Sequence, residues 1–160
     1  MFQIGDKIFY PAQGGGTIET IEEREVFGET QMYYSISMPH RNMQVMIPID
    51  KTEQLGIRHI VEPEQLDKLL VTINEGETDM SGNDNQLDRK NMLKIRSGNI
   101  YEGAEVIRDL VRISAKRKLG TTRKNMLDNA LQILISEIVL VKGIPKEQAS
   151  DLIERFIHIQ

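Results

Sequence analysis

The sequence predicts an α+β protein in two domains: a small antiparallel β-barrel of the SH3 or Tudor type over residues 1–60, then an all-α bundle of about five helices over residues 61–160. Two observations carry this. The hydrophobic period changes from strand-like to helical near Glu62, and Pro11, Gly14 to Gly16, Gly28, Pro39 and Pro48 break the first part into short β-rich runs.

In the first part, Ile4, Lys7 to Tyr10, Gly16 to Ile18 and Ile21 read as strand. The triplet Gly14-Gly15-Gly16 reads as a turn, because glycine alone takes positive φ freely. Phe27-Gly28 marks a hairpin, and Met32 to Met38 and Met43 to Ile47 are two further strands separated by Pro39 to Asn42. Four or five strands in this length suit a small barrel.

In the second part, Pro63 starts a helix whose Leu66, Leu69, Leu70 and Ile73 form a stripe ending before Gly76. Residues Glu75 to Asn85 read as a loop. Leu87, Met92, Leu93 and Ile95 mark a short helix closed by Gly98. Asn99 with Glu102 resembles a capping box for a third helix carrying Ile100, Ala104, Ile107, Leu110, Val111 and Leu119 inward. Gly120 stops it, and Thr121 is placed to cap a fourth helix. That helix is apolar around much of its circumference, with Leu127, Leu131, Leu134, Ile138 and Val141 in one stripe, so it reads as the centre of the bundle. Gly143 and Pro145 separate it from a last helix with Leu152, Ile153, Phe156 and Ile157.

Composition excludes several classes of function. There is no cysteine, hence no disulfide, thiolate nucleophile or zinc–thiolate site. No run of about 18 apolar residues is present, and Asp6 and Lys7 stand where a signal peptide would be apolar. The expectation is a cytoplasmic protein with no membrane partner, no cofactor and no small-molecule substrate. His40, His59 and His158 are far apart and fit no metal or catalytic spacing, and the glycine triplet lacks the Lys-Ser/Thr of a phosphate loop. Asp79, Ser81, Asn83 and Asn85 imitate the start of a calcium loop, but Asp84 replaces its glycine and Lys90 its bidentate glutamate. Neither a catalytic nor a metal site is expected; a diffuse acidic site near His59 and Glu62 is the weakest alternative.

Charge is segregated. The formal net charge is -4, yet residues through Glu62 hold 5 Lys+Arg against 9 Asp+Glu, while Asn85 to Lys124 hold 11 against 4. Two different partners follow from an acidic half and a basic segment. Arg108, Arg112 and Lys116 recur at four-residue spacing along one helix face, which either meets phosphates or complements the helix dipole. Arg123 and Lys124 sit in the first turn of a helix, where the dipole favours acids, so they form a candidate phosphate clamp. Arg89, Lys90, Lys94 and Arg96 could extend the surface. Contacts of this kind position a protein on DNA without reading its sequence.

Gly5-Asp6-Lys7-Ile8-Phe9-Tyr10-Pro11 with Gln13-Gly14-Gly15, the later Ile47-Pro48, Leu93-Lys94-Ile95-Arg96-Ser97-Gly98-Asn99, Ala104 to Leu110, and Met126-Leu127 through Ala130 to Leu134 resemble the CarD/CdnL transcription regulators over nearly the whole chain. The N-terminal motif is shared with the polymerase-binding module of transcription-repair coupling factors. The resemblance implies a Tudor-like barrel bound to the RNA polymerase β subunit and a helical domain on promoter DNA at the upstream edge of the bubble, stabilising the open complex. It would place Arg24, Val45, Met46, Ile47 and Pro48 toward polymerase and Arg123 and Lys124 on phosphates. Two departures stand out. Met46 occupies a position where relatives often carry arginine, and the chain has no tryptophan, where relatives often carry one near the start of the second helix. Asp84 and Asn85 stand there, leaving Met80 or Leu87 as substitutes for an apolar wedge. The competing reading is a polymerase-bound adaptor whose helices recruit another protein.

Overall fold

A computed structural model describes residues 1–78 and 82–157; Asp79, Met80, Ser81 and His158, singled out above, lie outside the described residues. Five strands come first: β1 (Lys7–Tyr10), β2 (Gly14–Val26), β3 (Glu29–Met38), β4 (Met43–Pro48) and β5 (Arg58–His59). They form one antiparallel sheet in the order β4-β3-β2-β1-β5, open between its two edge strands. Its core is Ile8, Ile18, Tyr34, Ile36, Met38, Ile47 and Ile57. Neighbours along β1 point to opposite faces, so Ile8 enters this core while Phe9 enters the helical one. The α+β class is therefore realised with β1 shared between two cores.

The glycine triplet corrects the sequence reading. Pro11 to Gln13 make the turn, closed by the Gln13 N–H on the Tyr10 carbonyl at 2.9 Å, and Gly14, Gly15 and Gly16 open β2, paired with Tyr10, Phe9 and Ile8. Their lack of side chain serves close packing. A Cβ on Gly15 would lie 2.9 Å from the Ser136 carbonyl oxygen, and one on Gly14 would lie 2.6 Å from His40 Nε2. The Gly15 N–H donates to Ser136 Oγ at 2.9 Å, so β2 rests directly on a helix. Beside it the His40 Nε2–H donates to the Gln13 carbonyl at 2.8 Å. Burial, and then Arg41 and Lys146, hold the His40 pKa below its ordinary value against the opposing effect of that bond. The fold thus binds this proton less tightly than the unfolded chain, and the associated stability is lost as pH falls through the acid range below the ordinary histidine value.

Past the bulge between Ile18 and Thr20, β2 and β3 run on together after their neighbours stop, since β1 reaches only Thr17 and β4 only Tyr33. The projecting ribbon ends in a two-residue turn with both central φ positive, 53° at Phe27 and 78° at Gly28. Such turns match the twist of the strands, and Asn-Gly is their favoured pair. A phenylalanine there is disfavoured by its backbone angle, and its ring is fully exposed.

Five helices follow: α1 (Pro63–Thr72), α2 (Asp84–Arg96), α3 (Ile100–Lys116), α4 (Thr121–Lys142) and α5 (Lys146–Phe156). Pro63 opens α1, and Leu66, Leu69, Leu70 and Ile73 are all buried, as their spacing predicts. A capping box that the sequence reading missed begins α2: Asn83 accepts from Gln86 N–H while the Gln86 side chain accepts from Asn83 N–H, both at 2.9 Å. The buried face of α2 is Leu87, Asn91 and Ile95, a strict four-residue spacing; Met92 and Leu93, expected inside, are exposed. Asn99 caps α3 through the Tyr101 and Glu102 amides. α3 ends at Lys116, so Leu119 belongs to the connection, where it packs with Leu87 and Ile113. Gly120, not Thr121, is the N-cap of α4, and no side chain caps that end. α4 is central because it meets β2 on one side and α1, α3 and α5 on others, which is why Ile133, Leu134, Ile135 and Ile138 are buried around its circumference.

A polar knot joins sheet to helices. Arg58 on β5 grips Glu137 of α4 with two bonds of 2.8 and 3.0 Å, donates through Nε to the Gly98 carbonyl at 2.9 Å, and lies 4.4 Å above the Phe9 ring. Glu137, only 1% exposed, also accepts the Val61 N–H at 2.9 Å. Glu137→Ala should lower the unfolding free energy by roughly 3 kcal/mol in urea titration, since it strands the Arg58 charge and the Val61 amide. Phe27→Asn should instead raise stability by about 1 kcal/mol in the same assay, because asparagine tolerates the left-handed backbone.

Candidate nucleic-acid interface

The cations of α3 keep the common face their spacing predicts, but only the last of them is fully exposed; Arg108 is buried and Arg112 half-buried. Arg108 is 5% exposed; its Nε donates to Asp109 at 2.9 Å and its two terminal nitrogens donate to the Ile73 and Glu77 carbonyls at 3.1 and 3.2 Å. Arg112 donates to the Gly76 carbonyl at 2.7 Å, to Thr78 Oγ1 at 3.1 Å and to the Asn74 carbonyl at 2.9 Å. Of the uses the spacing left open, contact with phosphates is thereby corrected for these two guanidiniums, which internal acceptors hold. The segment after α1 turns its carbonyls toward α3 without a ladder partner, and two guanidiniums one helical turn apart supply the missing donors. Lys116 stays exposed at the end of the helix.

Arg123 is likewise drawn inward. It is 8% exposed and pairs with Asp88 at 2.9 Å and Asp84 at 3.2 Å, both on α2. The hydrogen bond it donates to Asp88 raises its pKa against the cost of burial, so it remains a cation. Asp84 also receives Arg117 at 3.3 Å, and the two arginines hold its carboxyl below the usual range. The unusual cation in the first turn of α4 is thus explained by acids brought from α2. Lys124, the other half of the expected clamp, is exposed.

What reaches the surface is a narrower set than the sequence reading took. Arg89, Lys90 and Arg96 on α2, Lys116, Arg117 and Lys118 leaving α3, and Lys124 on α4 are exposed, while Lys94 is half-buried and pairs with Glu105 at 2.9 Å. The Asp84 and Asp88 pairs bring the start of α2, the α3–α4 connection and the start of α4 together around a shallow concavity lined by Arg117, Lys118, Gly120, Thr121, Thr122 and Arg123. Arg117 and Lys118 belong to the basic segment between Asn85 and Lys124, but their position beside α4 was not legible from it.

At the other end, Arg24 sits on the projecting ribbon, exposed and paired with Glu22 at 3.0 Å. β4 is an edge of the sheet. Ile47 lies in the core and Val45 packs against it, leaving Met46 and Pro48 half-buried on the alternate positions. Ile47 can therefore meet a partner only through its backbone. Leu87, one candidate for an apolar wedge, is buried with Ile113 and Leu119 and cannot serve as one. His59 stacks edge-on against Phe2 at 4.9 Å, and Glu62 precedes α1 as its N-cap. Among the described residues no group of three or more His, Cys, Asp or Glu could hold a metal, and no helix is long and apolar enough to cross a membrane.

A five-stranded antiparallel sheet is thus followed by a helical unit with an exposed basic edge. The CarD-like/TRCF RID domain family matches residues 2–61, and the CarD C-terminal domain family matches residues 68–154. The chain belongs to the CarD family. Its relatives include Bacillus subtilis (strain 168) "Putative transcription factor YdeB", 45% identical over 148 residues that cover 92% of this chain and 97% of that protein. The solution NMR structure of the 72-residue N-terminal domain of Myxococcus xanthus CarD is 27% identical, with a TM-score of 0.33 over 37% of this chain and 79% of that one. The CarD family is one of transcription factors and is not known for enzymes, and its CarD-like/TRCF RID half implies interaction with RNA polymerase in general.

The two kinds of cation in this CarD-family protein separate experimentally. Arg108→Ala should cost roughly 3 kcal/mol of stability and Arg123→Ala about 2 kcal/mol, whereas Lys124→Ala should stay within about 0.5 kcal/mol of the parent. Thermal and urea unfolding of the three variants checks this, and equal midpoints would show that the guanidiniums do not hold the fold.

Proposed function

We propose that the protein binds the RNA polymerase β subunit through residues 1–60 and promoter DNA, without sequence specificity, through residues 61–160, and so stabilises the open promoter complex. The observation that carries this is the sorting of the cations: Arg108, Arg112 and Arg123 are held by internal acceptors, while Lys116, Lys118 and Lys124 remain exposed around one edge of the bundle. A lysine edge of this kind suits phosphates, which it meets as point charges.

The polymerase half is supported by the open edge of β4, whose outward backbone groups can add a strand from a partner. Arg24 on the ribbon supplies a charge near it, and half-buried Met46 on β4 adds apolar surface. The rigid Arg58–Glu137 knot then holds the lysine edge at a fixed position relative to the docked sheet. Tethering raises the effective concentration of the cations at the promoter, so contacts too weak to hold free DNA suffice. A surface that fits melted DNA better than closed duplex shifts the equilibrium by its differential binding alone.

The triple substitution Lys116→Ala, Lys118→Ala, Lys124→Ala should shorten open-complex lifetime several-fold and lower the salt slope of DNA binding by roughly 2–3, with polymerase binding retained. Filter-retention lifetimes and a polymerase pull-down provide the two readouts. An unchanged lifetime with polymerase still bound would remove the DNA half of the proposal; loss of polymerase binding on Arg24→Glu addresses the other half.

A further inference from the structure

The outer face of the sheet carries a polar lock that lies outside both cores. On β4, Val45 and Ile47 turn toward the sheet core, so Gln44 and Met46 share the opposite face. Across the ladder, Met46 stands opposite Ser35 and Gln44 opposite Ser37. One strand further, the irregularity in β2 between Ile18 and Thr20 leaves Glu19 as the extra, unpaired residue beside Ser35. Bulges re-aim side chains in this way. Gln44 Nε2 donates to Glu19 Oε2 at 2.8 Å and to Ser35 Oγ at 2.8 Å. Two long side chains from β2 and β4 thus meet above the small residue of β3 between them, which is why Ser35 is buried although it lies on the outer face.

These two bonds commit both amide hydrogens of Gln44. Its Oε1 receives no donor among the described residues, and the side chain is exposed at the open edge of the sheet. Because Nε2 is drawn inward toward β3 and β2, Oε1 is turned the other way. A free surface glutamine rotates its amide to offer either end to a partner. This one cannot, since the flipped amide would set oxygen against the Glu19 carboxylate and lose a charge-assisted bond.

We propose that Gln44 is a specificity-determining residue of the β4 edge. A strand that polymerase adds there meets Met46 with an apolar side chain and, two residues along the same face, meets Gln44 Oε1 with a hydrogen-bond donor such as an arginine, a lysine or a side-chain amide. Glu19 is the positioning residue, acting through the amide that it holds. Main-chain bonds of an added strand supply affinity, and alternate side chains supply the choice of partner. A segment with a carboxylate at that place meets oxygen and is rejected, because its acceptor is desolvated and stays unpaired. The inference rests on the reading that β4 docks polymerase, and it names the chemistry that the docked strand carries.

The test measures the affinity of the full chain for purified RNA polymerase core enzyme by biolayer interferometry. Gln44→Leu should weaken binding about fivefold, the scale of one neutral hydrogen bond. Glu19→Ala should weaken it by a smaller factor, and the double variant Glu19→Ala with Gln44→Leu should bind like Gln44→Leu alone, because the carboxylate acts only through the amide. Exchanging the pair, Glu19→Gln with Gln44→Glu, rebuilds the bond across Ser35 in reverse and keeps an oxygen outward, so it should bind at least as tightly as the parent. Gln44→Leu binding like the parent, additive losses in the double variant, or no recovery in the exchanged pair each overturns the proposal while leaving polymerase docking in place. A parent chain that polymerase does not retain overturns the docking reading itself, and this proposal with it. Both positions are exposed, so every variant should keep the circular dichroism and urea midpoint of the parent, which separates loss of contact from loss of fold.

Discussion

The bond pair between Arg58 and Glu137 decides how this molecule is put together. Glu137 lies inside α4, away from water, and is satisfied only because β5 and Val61, two residues beyond it, bring a guanidinium and a backbone amide to it. Two apolar side chains could fill the same space at comparable stability. They would leave the direction of approach open, whereas a planar guanidinium held by both carboxylate oxygens, by the Gly98 carbonyl and by the Phe9 ring admits one orientation. The pair is partly open to water at the arginine end, which tempers its contribution to stability without loosening its geometry.

Around that knot the sequence removes side chains wherever backbones must touch. Gly14 and Gly15 let β2 lie against Ser136, and Gly98 accepts Pro11 so closely that a Cβ would come within 2.7 Å of its ring. The sheet and the helices thus share a seam of glycine, and β1 contributes one side chain to each core. Such a junction resists hinge motion, because close-packed backbone has no continuous range of alternative positions. The consequence for function is a fixed spacing between the β4 edge and the lysine edge of the bundle.

Much of this was legible from the residues. The change of hydrophobic period gave the order of strands and helices, and the spacing of Leu66, Leu69, Leu70 and Ile73 named a buried face correctly. The glycine triplet was misread because a turn and a close approach ask for the same residue, and only the partner surface, here α4, distinguishes them. Met92 and Leu93 misled for a related reason: periodicity reports that a stripe is apolar, not what covers it, and the inward face of α2 is narrower than its composition suggests. The knot itself was illegible. Nothing in the local sequence of Arg58 or Glu137 distinguishes them from the many other exposed-type charges, since their meaning depends on a contact across 79 positions.

The basic segment shows the same limit and also what overcomes it. Eleven cations between Asn85 and Lys124 look like one electrostatic feature, but the acceptors around each of them divide them. Arginine carries five donors in a planar fork and can satisfy several carbonyls or carboxylates at once, which is what Arg108, Arg112 and Arg123 do inside the bundle. Lysine offers a compact, strongly hydrated charge on a flexible stem and gains little from such sites, so Lys116, Lys118 and Lys124 are left at the surface. The division follows from the acceptors each side chain meets and not from residue type, since Arg89, Arg96 and Arg117 stay exposed while Lys94 pairs with Glu105 at 2.9 Å, and it converts an apparent surplus of charge into a structural set and an available set. The acids Asp84 and Asp88 complete the division, since by holding Arg123 they fix the start of α4 against α2 and so position the available lysines on one edge.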